Sequence, residues 1–114
     1  MSEESTRRVI EESVPGKQIT LAHVIASPVN DVYQSLGIDE AGAIGILTLS
    51  PFETAMIAAD IAVKVADVSI GFLDRFTGSV VITGDIESVE TSLREVVRIF
   101  KEILEFNVVD VTRT

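Results

Sequence analysis

The chain of 114 residues has a single histidine, His23, and that residue is the first place to look for metal or acid–base chemistry. No second histidine and no cysteine accompany it, so a metal site would have to be assembled from one imidazole and scattered carboxylates. His23 therefore reads as a packed core or interface residue. A serine nucleophile needs a base beside it, and no Gly-x-Ser-x-Gly turn occurs. Neither a Gly-x-x-x-x-Gly-Lys phosphate loop nor a Gly-x-Gly-x-x-Gly turn is present; Gly42-Ala43-Ile44-Gly45 comes nearest, at a strand entrance with the wrong spacing. Glu87, Glu90 and Glu102 fall at helical positions that match a solvent face, with nothing to gather two of them into a pocket. Asp74 and Arg75 form the most interesting charged pair. They sit between two strand candidates, where charge can face a ligand, a pore or water. These residues point away from an enzyme and imply no cofactor.

Composition sets the frame in which such residues must be held. A mass of 12.3 kDa fits one domain of ordinary size. With 46% hydrophobic and 24% charged residues, the chain is too apolar for disorder and normal in charge for a soluble protein. No apolar run approaches the roughly 20 residues of a bilayer span. Met1–Ile10 carries Glu3, Glu4, Arg7 and Arg8 where a signal peptide would be hydrophobic, so a cytosolic protein is expected. Nine Lys+Arg against eighteen Asp+Glu give a net charge of −9, which repels a phosphate backbone. Nucleic acid and membrane are not expected partners.

Along the chain, residues 1–8 are polar without a period and read as a mobile leader. Val9-Ile10-Glu11-Glu12-Ser13-Val14 is a short strand that stops at Pro15-Gly16. Gln18–Ala26 alternates as a strand buried on at least one face. Ser27-Pro28 predicts a helix start with Ser27 as N-cap, followed by Val29, Val32, Tyr33 and Leu36 at helical spacing up to Gly37. Ala43–Leu49 is nearly all apolar, as in a strand covered on both faces. Ser50-Pro51-Phe52-Glu53 predicts a capping box and a helix from Pro51 to about Ala66. Glu53, Asp60 and Lys64 occupy one narrow stripe of that helix, and alanines with other apolar residues cover the rest. Such a helix fits between its own sheet and a neighbouring subunit.

Val68–Leu73 and Ser79–Thr83 read as a hairpin closed by Asp74-Arg75-Phe76-Thr77-Gly78. Asp85 offers an N-cap for an amphipathic helix from Ile86 to Glu105, with the pairs Glu90/Arg94, Arg98/Glu102 and Lys101/Glu105 four apart. Val108, Val109 and Val111 predict a closing strand. From Ala43 onward the order is β-α-β-β-α-β, a ferredoxin-like α+β core.

The residues also support a family resemblance. Ala43-Ile44-Gly45-Ile46-Leu47-Thr48-Leu49, Glu53-Thr54-Ala55 and Ala59-Asp60-Ile61-Ala62-Val63-Lys64 resemble the opening of a bacterial microcompartment (BMC) shell domain. Val68–Gly78, then Gly84-Asp85 and Val89-Glu90, resemble its central hairpin and second helix. In the usual domain a segment like Ile19–Ala26 follows the second helix, whereas here it precedes the first strand, so the chain resembles the circularly permuted single-domain class. Val14-Pro15-Gly16-Lys17-Gln18 and the closing Thr112-Arg113-Thr114 are similar to shell proteins of ethanolamine- and propanediol-utilisation compartments. The likeness runs over about residues 9–114.

That resemblance implies a structural, non-enzymatic shell subunit in the bacterial cytoplasm: a homohexamer tiling with other shell proteins around encapsulated enzymes. It implies a leader at 1–8, an N-terminal strand at 9–16 joining a six-stranded barrel over the pore, and a permuted shell domain at 17–114. It places the hairpin Asp74, Arg75, Phe76, Thr77 and Gly78 near the six-fold axis, with Val9, Ile10, Glu11, Glu12, Ser13 and Val14 in the cap. An isolated strand of that length needs symmetry mates to pair its backbone. Lys64 matches a lysine at the hexamer edge; read from its helix alone, it is an Asp60 partner. Gly42 matches a glycine that lets the ring bend, and a ring that fails to close would give a spiral or filament. The usual Arg-Pro is missing at Ala26-Ser27-Pro28, so edge contacts are expected to be weaker or differently built. Fold order alone does not settle function, and a ferredoxin-like small-molecule-binding regulatory module is the alternative.

Overall fold

The computed structural model of the chain describes residues 16–114. The leader and the strand Val9–Val14 lie outside the described residues. Gln18–Ala26 forms β1, Asn30–Leu36 α1, Ala43–Ser50 β2, Thr54–Val65 α2, Ser69–Asp74 β3, Ser79–Gly84 β4, Ile86–Glu102 α3 and Thr112–Arg113 β5. The sheet order is β3-β4-β2-β1-β5, antiparallel throughout except that β5 runs parallel to β1.

β2 sits at the centre; its Ala43, Gly45, Leu47 and Leu49 face is buried, while on the other face Ile44 is buried and Ile46, Thr48 and Ser50 are partly covered, so its nearly all apolar run predicts the cover only in part. One face packs Leu47 and Leu49 against α2 and α3, through Ala55, Ala58, Ala59 and Ala62 of α2 and Val89, Leu93, Val96 and Phe100 of α3. On the other face Ile44, with Val81 of the neighbouring β4, packs against Tyr33 of α1, whose hydroxyl donates to the Ala41 carbonyl at 2.7 Å. Small side chains on α2 let it lie close to α3, and the buried Ser92 hydroxyl donates to the Ala62 carbonyl across that contact at 2.9 Å.

The helix starts differ from expectation. Ser27 does not cap α1: its φ is 51° and its N–H donates to the Gly42 carbonyl at 2.9 Å, extending the β1–β2 connection. The chain therefore turns into the helix only after Pro28, and Val29 holds the N-cap position without a side-chain bond. Nor does the capping box form at α2. Ser50 is held in the ladder opposite Gln18, so the orphan donors are met one turn later, where both the N–H and the hydroxyl of Thr54 donate to the Pro51 carbonyl. Asp85 does cap α3, its carboxylate accepting from the Ser88 N–H at 2.8 Å.

The last quarter also corrects the sequence reading. α3 stops at Glu102 because Glu105 takes φ 59° and the Phe106 N–H closes back on the Phe100 carbonyl at 2.8 Å, a left-handed helix termination. Glu105 is thus off the helix and cannot pair with Lys101 along it. Arg98 does reach Glu102, and also Glu95; Glu90 reaches Arg113 in place of Arg94. Val108–Val111 is not a strand. Val108 and Val111 pack against the core, and only Thr112–Arg113 joins the sheet. The fourth position of the ferredoxin-like sheet, beside β2, belongs to β1. The strand that would ordinarily follow the second helix has its counterpart before the first strand, which is the permuted arrangement.

Holding Glu105 at positive φ costs on the order of 1 kcal/mol relative to glycine. Glu105→Gly is expected to stabilise the fold by about 0.5–1 kcal/mol, read as a higher urea midpoint with unchanged slope. A lower midpoint would show that the Glu105 side chain contributes more than the backbone strain removes.

Candidate functional site

The β3–β4 turn is the most organised polar feature among the described residues. Asp74 accepts from the Phe76 N–H and from the Thr77 hydroxyl, each at 2.8 Å. Those bonds, the Phe76 amide first, hold its carboxyl below the ordinary aspartate pKa. Asp74 is therefore a turn former, with both oxygens occupied internally. Arg75 does not pair with it; its guanidinium lies 4.9 Å from the Phe76 ring centre, and Phe76 stands 73% exposed at the tip. Gly78 has φ 75°, and a Cβ there would collide with the Leu49 carbonyl. Its own carbonyl accepts from the Leu49 N–H at 2.8 Å, which anchors the turn to β2.

The remaining residues singled out in the sequence lie elsewhere. Lys64, on α2, donates to Asp60 at 2.7 Å in an exposed pair whose side chains are 69% and 57% accessible. Gly42 stands where the chain enters β2, outside the left-handed region; a Cβ would come 3.2 Å from the Asp85 Cα and 3.4 Å from the Gly84 carbonyl. Close backbone approach, not unusual dihedral angles, is the reason for glycine there.

Apolar surface is the second feature. α2 presents Met56, Ile57 and Val63 to solvent beside the exposed Phe52, with Met56 48% accessible. The edge strand β3 exposes Ile70, Phe72 and Leu73 on both of its faces. Contiguous apolar patches rimmed by charge mark protein contacts. The alanine face of α2 is buried in the core, and Met56, Ile57 and Val63 are left uncovered.

Sequence reasoning missed the environment of His23. It is half-buried on β1, with Nδ1 2.6 Å from the Thr112 hydroxyl and Nε2 2.9 Å from the Thr114 hydroxyl. No local signal pointed to it, because the threonines lie 89 and 91 positions from His23. Among the described residues no group of three or more His, Asp or Glu side chains could hold a metal ion, and no helix is long and apolar enough to cross a membrane.

The turn yields a paired test. Gly78→Ala combines the carbonyl collision with positive φ and is expected to cost about 2–4 kcal/mol. The depressed Asp74 carboxyl stabilises the fold above its unfolded-state pKa, and that contribution disappears as pH falls through the folded value. Asp74→Asn is thus expected to flatten the loss of stability below about pH 4. Urea midpoints measured between neutral and acid pH check both; an acid limb identical to the parent's would remove Asp74 from the account.

The model of the BMC domain matches residues 43–112. The chain is 60% identical over 107 residues to the bacterial microcompartment shell protein CutR of Streptococcus intermedius, covering 94% of this chain and 92% of that one. It is 53% identical over 111 residues to the shell protein PduU of Salmonella typhimurium, covering 96% of each. Among solved structures, a CutR flat hexamer superposes with TM-score 0.86 at 58% identity, covering 89% of this chain and 94% of that one. A CutR screw of 41.9 Å pitch superposes with TM-score 0.84 at 58% identity, covering 88% and 100%. An α+β sheet in which β1 fills the place beside β2, a domain match that begins at β2, and relatives that are shell proteins lead to one conclusion: the chain belongs to the BMC domain family, as a bacterial microcompartment shell protein of the circularly permuted arrangement.

Proposed function

We propose that six copies of this chain close a ring with the β3–β4 turns around its axis, and that such rings tile with other shell proteins around encapsulated enzymes. The role is structural and not catalytic. One observation carries the reading: α2 and β3 leave their apolar side chains uncovered in a chain whose relative CutR has been solved as a flat hexamer. A ring of copies supplies the missing cover, because a heterologous interface repeats until it closes. The regulatory alternative draws no support from the relatives, which are shell proteins.

In this reading residues 1–8 are a leader, residues 9–16 carry the strand that joins five others in a barrel over the pore, and residues 17–114 are the shell domain. Asp74 shapes the axial turn, Gly78 anchors it, and Arg75, Phe76 and Thr77 form its rim. Six chains of 12.3 kDa give a species of about 74 kDa, which native mass spectrometry at neutral pH will resolve. A clean monomer, dimer or trimer would refute the ring. Deletion of residues 1–14 is expected to preserve the six-chain species while opening the axis in electron micrographs, and loss of the hexamer would overturn the capping role.

Lys64 is proposed as an edge contact between rings, and Gly42 as the point where the ring bends. CutR is known in screw form as well as flat, and a ring that does not close continues as a helix. A valine at position 42 crowds the Gly84–Asp85 backbone. Gly42→Val is therefore expected to change the distribution of ring shapes in electron micrographs, and Lys64→Ala to reduce sheet formation without dissociating rings. Unchanged ring shapes and unchanged sheets would remove these roles from Gly42 and Lys64 respectively.

A further inference from the structure

The tip of the β3–β4 turn carries a cation with no anion. Among the described residues Arg75 is in no ion pair. The adjacent Asp74 is taken up by the turn itself, its two oxygens accepting from the Phe76 N–H and the Thr77 hydroxyl. The Arg75 guanidinium lies 4.9 Å from the centre of the Phe76 ring, and Phe76 is 73% exposed. Both stand on a fixed base, because the Gly78 carbonyl accepts from the Leu49 N–H of β2 at 2.8 Å. A cation lying on an aromatic plate is complementary to a segment that sets a carboxylate between apolar side chains.

The stretch of chain before the described residues has that pattern. In an extended strand Ile10, Glu12 and Val14 share one side, and Val9, Glu11 and Ser13 share the other. Only the first set puts a carboxylate between two branched aliphatic residues. The stretch also ends at the right place. The described chain begins at Gly16, Gln18 lies opposite Ser50, and the neighbouring Leu49 bonds to Gly78. β1 therefore starts at the end of the sheet that carries the turn, two strand spacings, or about 10 Å, from β4. Four extended residues from Gly16 to Glu12 span about 13 Å, and the long side chains of Glu12 and Arg75 add to that reach. The contact can be made within one chain.

We infer that Arg75 and Phe76 are the seat of residues 9–14 of the chain, with the Glu12 carboxylate paired to the Arg75 guanidinium and Ile10 and Val14 lying on the Phe76 ring. The inference deepens the capping role proposed above and rests on it: the cap gains a specific anchor on the axial turn. Around a six-fold axis the pairing has a further consequence. Arg75 side chains gathered there repel one another, and one Glu12 carboxylate from each chain offsets that repulsion. Glu11, on the other side of the strand, has no part in it.

The test is amide hydrogen exchange of residues 9–14 in the full chain, with the same residues in a free peptide as the unprotected reference. The parent is expected to exchange more slowly than the peptide. Glu12→Gln and Arg75→Gln are each expected to speed that exchange roughly threefold or more, and the double variant no further than either single one. Exchanging the charges, Arg75→Glu with Glu12→Arg, is expected to recover the parent rate to within about twofold. Glu11→Gln is expected to leave the rate unchanged. A parent as fast as the peptide overturns the inference, as do additive single effects or a Glu11→Gln chain that matches Glu12→Gln. If Arg75→Gln disturbs the fold, seen as faster exchange in β2 and β4, the contrast between Glu12→Gln and Glu11→Gln decides alone. Native mass and the deletion of residues 1–14 report on the ring and the cap, whereas coupling between Glu12 and Arg75 reports on the seat. A closed, capped ring without that coupling overturns the inference and leaves the ring standing.

Discussion

β2 is fully buried on one face and partly buried on the other, and the rest of the molecule is arranged around that constraint. Its apolar run places Ile44 and Leu47 in separate core layers on opposite sides, and both edges of so buried a strand must find backbone partners. β4 takes one edge and β1 the other. An unpaired buried amide costs roughly 1–3 kcal/mol. The exposed ion pairs of Asp60, Glu95 and Glu102 are screened by water and add little beside that. Strand pairing and burial at β2, not surface charge, decide which segment lies where. That is why a strand can move from one end of the chain to the other without changing the sheet: the site beside β2 requires an antiparallel apolar strand and is indifferent to when it is made.

The same economy explains where the polar chemistry went. Asp85 caps α3 and Asp74 closes a turn, each with its pKa lowered by the amides it accepts from. Glu95 is lowered mainly by its hydrogen bonds with Arg98, and Arg98 is raised in turn. These carboxylates hold the backbone or one another, and none is gathered into a reaction site. What remains unsatisfied is apolar: the outer face of α2 and both faces of β3. For a shell protein that is the expected balance, since its work is done by repeated contact between copies and not by a pocket.

Much of the architecture was legible beforehand. Alternation in Gln18–Ala26, the apolar block Ala43–Leu49, the glycine that ends α1 and the three- and four-residue spacing of α3 each arise from local periodicity, and each element stands within a few residues of expectation. The errors share one cause. Ser27 and Ser50 have the right type to cap a helix, yet each is held by the β1–β2 connection or ladder, which competes for the same backbone groups. Val108–Val111 has strand composition, but its valines bury against α3 and the core before reaching an edge. Glu105 looks helical by charge spacing, while the Phe100–Phe106 contact draws the chain out of the helix.

The sequence by itself determined most element types, the absence of a recognisable catalytic or phosphate-binding motif, the hairpin connection at Asp74–Gly78, and the largely apolar surface of α2. All of these follow from residue type and from spacings of two to four positions. Only the tertiary structure decided that β1 fills the position beside β2, that Gly42 is small to accommodate Gly84 and Asp85, and that His23 meets Thr112 and Thr114. Those pairings join residues from 17 (Ala26 and Ala43) to 91 (His23 and Thr114) positions apart. No local pattern encodes them, because they exist only once the sheet has brought distant strands to a common edge.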